Sequence, residues 1–275
     1  MVIVIQCKDK TGLVAAISGI MAQKQINIIS MREHVDTSDT RFFARLLVET
    51  NDDAVLLQEE LKSALPAEAW VSVNPLPEKR IIVLVTKEHH CLSDILIRNH
   101  FKTLGATIEC VIGNHAVLED ICKRFLVPFH LISHEEKSKE KFEEELLNSI
   151  GQYNVDYIVL AKFMRILSPS FVDAFSMRII NIHHSFLPAF AGANPYRQAY
   201  ERGVKLIGAT AHFVTSELDE GPIIAQQIIP VNHSFSTADM VRAGKEIETA
   251  VLARALHLVF EDRVIVYKNK TVVFE

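Results

Sequence analysis

The chain has 275 residues, 49% of them apolar, and a formal net charge of -5. That apolar share supports a packed core and excludes disorder as the starting expectation. The length suits one large domain or two smaller ones, and interspersed charges of both signs give no basis for a nucleic-acid partner. The four cysteines (Cys7, Cys91, Cys110, Cys122) are scattered, with no C-x-x-C pair, as expected of a reduced cytoplasmic protein without structural zinc. The Met1–Gln6 start has neither the basic flank nor the long apolar run of a signal peptide, and no stretch approaches the roughly 20 apolar residues of a membrane span.

Val2–Cys7 reads as a strand. Asp9-Lys10-Thr11-Gly12 punctuates it, and Leu13, Ile17, Ile20 and Met21 then recur at helical spacing, with Asp9 or Thr11 as the expected N-cap. Residues 26–29 and Arg41–Glu49 read as strands, 52–64 as a helix and 69–73 as a fourth strand. The order βαββαβ is a ferredoxin-like unit. The run Lys8-Asp9-Lys10-Thr11-Gly12-Leu13-Val14, with Ile26-Asn27-Ile28 after the helix, resembles the ACT domain family of small regulatory modules. Thr11 stands where many members carry proline. The resemblance implies pairing into a homo-oligomer and an amino-acid effector facing Asp9, Gly12 and Asn27. Gly12 suits that role because a glycine lets backbone amides approach a carboxylate at a helix start. A dimerisation domain without ligand accounts for the same pattern.

Asn74-Pro75-Leu76-Pro77-Glu78-Lys79 reads as a linker, since two prolines bar a central strand. It divides the chain into domains 1–77 and 78–275. In the second, apolar strands at 81–85, 106–112, 129–132, 156–161 and 178–183 alternate with helices at 91–104, 116–125 and 135–150. That alternation predicts an open, mostly parallel α/β sheet. A helix over 195–202, strands over 207–214 and 223–227, a long helix over 236–261 and a terminal hairpin follow. The turn Thr86–Leu92 contains an acid and no glycine, which disfavours a phosphate cradle. His89-His90-Cys91 lacks a partner at ligand spacing, so no metal is expected.

The chemistry is expected at Ile180–Tyr196. There an apolar strand acquires Asn181, His183 and His184 at its end, the place where α/β sheets put their ligands. Among the acids after the 207–214 strand, Asp219 is the one expected to be held, between Leu218 and the rigid Gly221-Pro222 pair. Asn181-Ile182-His183, Ser185-x-Leu187-Pro188, Gly192, His212-Phe213-Val214 and Leu218-Asp219-x-Gly221 together resemble the formyltransferase family that uses 10-formyltetrahydrofolate. With an ACT domain in front, the resemblance covers essentially the whole chain and is nearest the branch of that family that deformylates the folate.

The resemblance implies hydrolysis of 10-formyltetrahydrofolate by water to tetrahydrofolate and formate, supplying formate for purine synthesis, with the folate as substrate and no cofactor. It implies Asn181, His183 and Asp219 as catalytic residues, with Met164, Arg165, Ile166, Leu167, Gly192 and His212 around the substrate. His184 is either a supporting residue or structural. The alternative is transfer of the same formyl group to an amine such as a ribonucleotide. The glycine-free turn after the 81–85 strand and the lack of a following RNA-binding module speak against the corresponding acceptors. A sensor that merely retains a folate pocket has no need of the catalytic trio.

Overall fold

A computed structural model describes residues 1–74, 78–188 and 195–275, grouped into two compact units. The first comprises Met1–Pro77 with Leu258–Tyr267 and Val272–Glu275, the second Glu78–His257 with Lys268–Thr271.

In the first unit, β1 (Val2–Lys8), α1 (Leu13–Gln23), β2 (Asn27–Asp36), β3 (Arg41–Glu49), α2 (Ala54–Ala64) and β4 (Trp70–Asn74) build the expected βαββαβ order. Their four strands form an antiparallel sheet ordered β2-β3-β1-β4. Strand alternation explains why β1 is apolar at successive positions from Val2 to Ile5. Ile3, Ile5 and Cys7 meet Leu13, Ile17, Leu57 and Leu61 of the helices, and Val2 and Val4 project to the opposite face. That face is covered by the last two strands of the chain, β12 (Val264–Tyr267) and β13 (Lys270–Val273), through Ile265 and the following Phe274. Adjacent Phe42 and Phe43 serve the two faces in turn. A division at residue 77 places this hairpin in the second domain, whereas its strands pack on the first. Buried Arg45 ties it down, donating from Nη2 to the Glu261 carbonyl at 2.8 Å.

The expected α1 cap is corrected. Neither Asp9 nor Thr11 caps the helix; Gly12 occupies the N-cap with φ 93°, and no side chain bonds there. Asp53 does cap α2, accepting from the amides of Val55 and Leu56.

The second unit is a seven-stranded sheet ordered β11-β10-β9-β8-β5-β6-β7. Its strands are β5 (Lys79–Val85), β6 (Ala106–Gly113), β7 (Phe129–Leu131), β8 (Tyr157–Leu160), β9 (Ile179–His183), β10 (Leu206–Phe213) and β11 (Ile223–Pro230). The five from β9 to β7 run parallel; β10 and β11 are antiparallel additions. Helices α3 (His90–His100), α4 (Glu119–Arg124), α5 (Lys139–Ile150), α6 (Pro169–Ala174), α7 (Pro195–Glu201) and α8 (Thr237–Phe260) connect them. Phe142, Leu146 and Ile150 of α5 and Phe171 of α6 pack on Ile82, Leu84, Ile112 and Ile158 of the sheet.

The topology fixes where a ligand can bind. From β5 the chain steps outward to β6 and β7, then returns to the other side of β5 at β8. The loops after β5 and β8 therefore diverge, opening a crevice at the strands' carboxyl ends. Thr86, just after β5, bridges them by accepting the Met164 amide at 2.9 Å.

Candidate active site

A cavity of about 740 Å³ opens at that switch point, with residues from the ends of β8, β9 and β10, the loops beyond them and α8 in its wall. Asn181 and His183 are two residues apart on β9, so both side chains fall on one face of the sheet. His212 of β10 is the direct cross-strand partner of Asn181. Asp219 follows in the turn after β10.

Hydrogen-bond chemistry fixes the proton positions. His212 Nδ1 is 2.9 Å from the Phe213 carbonyl oxygen, which only accepts, so Nδ1 carries the proton. Its Nε2 lone pair then receives an N–H from the Asn181 amide at 3.2 Å. Burial lowers the His212 pKa, outweighing the carbonyl and Asp219, and keeps the ring neutral. The Asn181 amide is thereby oriented, with its other N–H free to donate. His183 Nδ1 lies 3.2 Å from Asp219 Oδ1 and donates to the carboxylate. His183 Nε2 is buried and has no hydrogen-bond partner among the described residues. Burial pushes the Asp219 carboxyl up, but the hydrogen bond and charge of His183, with the charge of His212, bring it below the ordinary aspartate value. It is a carboxylate at neutral pH.

Asp219 is held by its backbone as well. Its φ of 59° is left-handed, costly for a non-glycine residue and tolerated best by Asp and Asn. The turn is pressed against the end of β10: the Phe213 amide donates to the Pro222 carbonyl at 2.9 Å. A Cβ on Gly221 would sit 1.8 Å from the Phe213 carbonyl oxygen, so only glycine permits this approach. From the other side, Asn269 Nδ2 donates to the Glu220 carbonyl at 2.9 Å, and Thr271 Oγ1 to that of Ile223 at 2.6 Å.

A second group of ionisable side chains shares the cavity. Glu248 of α8 is 1% exposed; its Oε2 lies 3.1 Å from Lys162 Nζ and 2.9 Å from His90 Nε2, and its Oε1 accepts from Tyr196 OH at 2.6 Å. Burial would raise this carboxyl, yet His90, Lys162 and Tyr196 together bring it down to about 2. The His184 ring sits between the two groups, 5.1 Å from His183 and 6.2 Å from Tyr196, and burial next to Lys162 drops it to about 4. His90, Cys91 and Glu248 place ligand-type atoms within 4.8 Å of one another. The Lys162 ammonium already neutralises that carboxylate, however, and burial raises the Cys91 thiol far above its ordinary value, so the donor set does not suit a cation.

Asn181, His183, Asp219, His212, Met164, Arg165, Ile166 and Leu167 thus all line one cavity, while Gly192 lies outside the described residues. Asp9, Gly12 and Asn27 belong to the first unit, around the β1–α1 turn and the start of β2. The sequence reading missed Glu248, Tyr196 and His90 as a unit. The available signal was a carboxylate on the buried stripe of a long helix, in register with Val251, Leu252 and Ala255. It also missed Thr210, whose hydroxyl donates to the Ser185 carbonyl at 2.9 Å and accepts the Leu187 amide at 3.0 Å, pinning the turn after His183.

The chain joins a ferredoxin-like unit to an open α/β domain with a cavity at its topological switch point. Residues 79–256 match the formyl transferase family and residues 1–64 the ACT domain family. The chain belongs to the formyltetrahydrofolate deformylase family. It is 49% identical over 272 residues to the formyltetrahydrofolate deformylase of Haemophilus influenzae, covering 99% of this chain and 98% of that one. The crystal structure of a formyltetrahydrofolate deformylase from Pseudomonas syringae pv. tomato superposes with a TM-score of 0.94 at 39% identity, over 100% of this chain and 94% of that one. The glycinamide ribonucleotide transformylase 1 of Symbiobacterium toebii matches less of it: TM-score 0.69 and 32% identity, over 72% of this chain and 95% of that one. Among the described residues no helix is long and apolar enough to cross a membrane.

Proposed function

We propose that this chain hydrolyses 10-formyltetrahydrofolate to tetrahydrofolate and formate at the Asn181–His183–Asp219 cluster. The observation that carries the assignment of roles is the buried, unpartnered Nε2 of His183, whose opposite nitrogen is anchored on a carboxylate. An imidazole so held faces the cavity with one nitrogen committed to proton exchange. The folate lies along Met164–Leu167, with its formyl carbon between Asn181 and Asp219.

Water attacks the formyl carbon and gives a proton to the Asp219 carboxylate. Charge gathers on the formyl oxygen, where the free N–H of Asn181 donates; one such aimed donor contributes about 3–4 kcal/mol. His183, its Nδ1–H held by Asp219, takes up a second proton at Nε2 and passes it to N10 as the carbon–nitrogen bond breaks. Bonds and charge balance: water supplies the hydroxyl of formic acid and the net proton that N10 gains.

The first unit supplies control in this reading. An amino-acid effector binds where Gly12 leaves the backbone open, with no atom within 4 Å of the position a Cβ would take. Asp9 and Asn27 flank it. Exposed Val14, Ile29, Val55 and Leu56 supply apolar area for pairing two copies. The test is formate release from 10-formyltetrahydrofolate by the purified protein with no acceptor present, with and without a panel of amino acids. Absence of formate under every condition removes the hydrolase assignment.

A further inference from the structure

The trio explains formyl chemistry but not why water should be its acceptor. The transformylase of Symbiobacterium toebii shares this fold over 95% of its length, so the fold alone does not decide between water and an amine. Resting on the hydrolase reading above, we propose that the Lys162–Glu248–His90–Tyr196 network restricts the nucleophile to water by filling the part of the cavity where an amine-bearing acceptor would have to lie.

Three observations carry this. The network lies in the same cavity as the trio, with the His184 ring near both His183 and Tyr196. Lys162, His90 and Tyr196 line that side of the cavity. Lys162 also carries a backbone strain: its φ is 62°, a left-handed conformation that glycine adopts freely and other residues only at a cost. A lysine kept in that conformation, 8% exposed and aimed at a carboxylate, serves something its own backbone does not require. Finally, the Glu248 carboxylate, the anionic group that would draw a cationic or hydroxyl-bearing acceptor into the cavity, is already engaged by Lys162, His90 and Tyr196. The turn after β5 closes the same side, with Glu88 paired to Lys245 at 2.6 Å where an anionic acceptor would need converging amides.

The reaction held back is attack of a primary amine on the formyl carbon. The new carbon–nitrogen bond forms as the bond to N10 breaks, and N10 takes up the proton that the amine loses. Lys162→Gly tests it directly, because glycine suits φ 62° and removes the ammonium together with its stem. His90→Ala takes a donor from the other side of Glu248 without touching that backbone. Each purified full-length variant is given 10-formyltetrahydrofolate and excess glycinamide, and formate and N-formylglycinamide are quantified together by mass spectrometry after subtraction of the protein-free reaction. The parent is expected to yield formate alone. At least one variant is expected to raise the ratio of formylated amine to formate about tenfold or more, the range that a pocket's steric discrimination supports. An unchanged ratio in both, or loss of all turnover in both while they remain folded by circular dichroism, overturns the proposal. Absence of formate from the parent instead removes the hydrolase reading beneath it.

Discussion

Replacing Asp219 with asparagine isolates the charge of the proposed catalytic carboxylate from its geometry. Asparagine tolerates the left-handed backbone at this position, and its carbonyl still accepts the His183 Nδ1 proton across the 3.2 Å contact. What disappears is the negative charge beside an imidazole that must become cationic, and with it the acceptor of the water proton. At 3.2 Å and an effective dielectric of about 20, attraction between the full charges is on the order of 5 kcal/mol, part of it returned by restored neutrality in a half-buried site. Loss of a positioned general base independently costs about 10²–10⁴ in rate. A fall in kcat of about 10³ is therefore expected, with KM within about threefold and a melting temperature near that of the parent. Stopped-time formate assays across substrate concentration measure both constants. A kcat within tenfold of the parent, or a loss confined to KM, refutes the reasoning.

Asn181→Ala removes one donor to the developing oxyanion and should lower kcat about 10²–10³-fold in the same assay, with little change in fold by circular dichroism. Gly221→Ala drives a Cβ into the Phe213 carbonyl; it should cost about 1–3 kcal/mol, seen as a lower melting temperature, and should depress kcat by displacing Asp219. Because Glu248 falls from its ordinary 4.5 to about 2 on folding, its contribution, on the order of 3 kcal/mol, is fully present above pH 4.5 and is lost as pH falls toward 2. Thermal melts should therefore decline more steeply between pH 4.5 and 3 in the parent than in Glu248→Gln; parallel declines would contradict the assignment. Gly12→Ala, strained at φ 93°, should abolish any amino-acid response of formate release while leaving the unstimulated rate within about twofold.

The elements legible in the sequence are those whose burial imposes a period. Arg41–Glu49 reads correctly to the residue because both faces of β3 are packed. The strand beginning near Asn27 extends to Asp36, well past Ile29. It is an edge strand with a bulge at Ile28/Ser30, and its exposed Arg32, Glu33 and His34 carry no apolar period. Helix α6 escapes because its six residues are too few to show a repeat, although Ser168-Pro169 is a sound cap signal. The proposed catalytic trio is legible because Asn181 and His183 interrupt an apolar strand and because Gly221-Pro222 stiffens the turn holding Asp219. The Glu248 network is not: His90 and Glu248 are 158 positions apart, and only the tertiary fold brings them within 2.9 Å.

The clasp that Asn269 and Thr271 place on the Glu220 and Ile223 carbonyls also has a consequence in time. These donors follow their acceptors by 49 and 48 positions. During synthesis, at about 5–20 residues per second, the turn bearing Asp219 leaves the ribosome several seconds before the residues that fasten it. A nascent chain can lay down the parallel strands and present its histidines while this turn is still loose. The turn that carries Asp219 is thus fastened by nearly the last residues of the chain to be made.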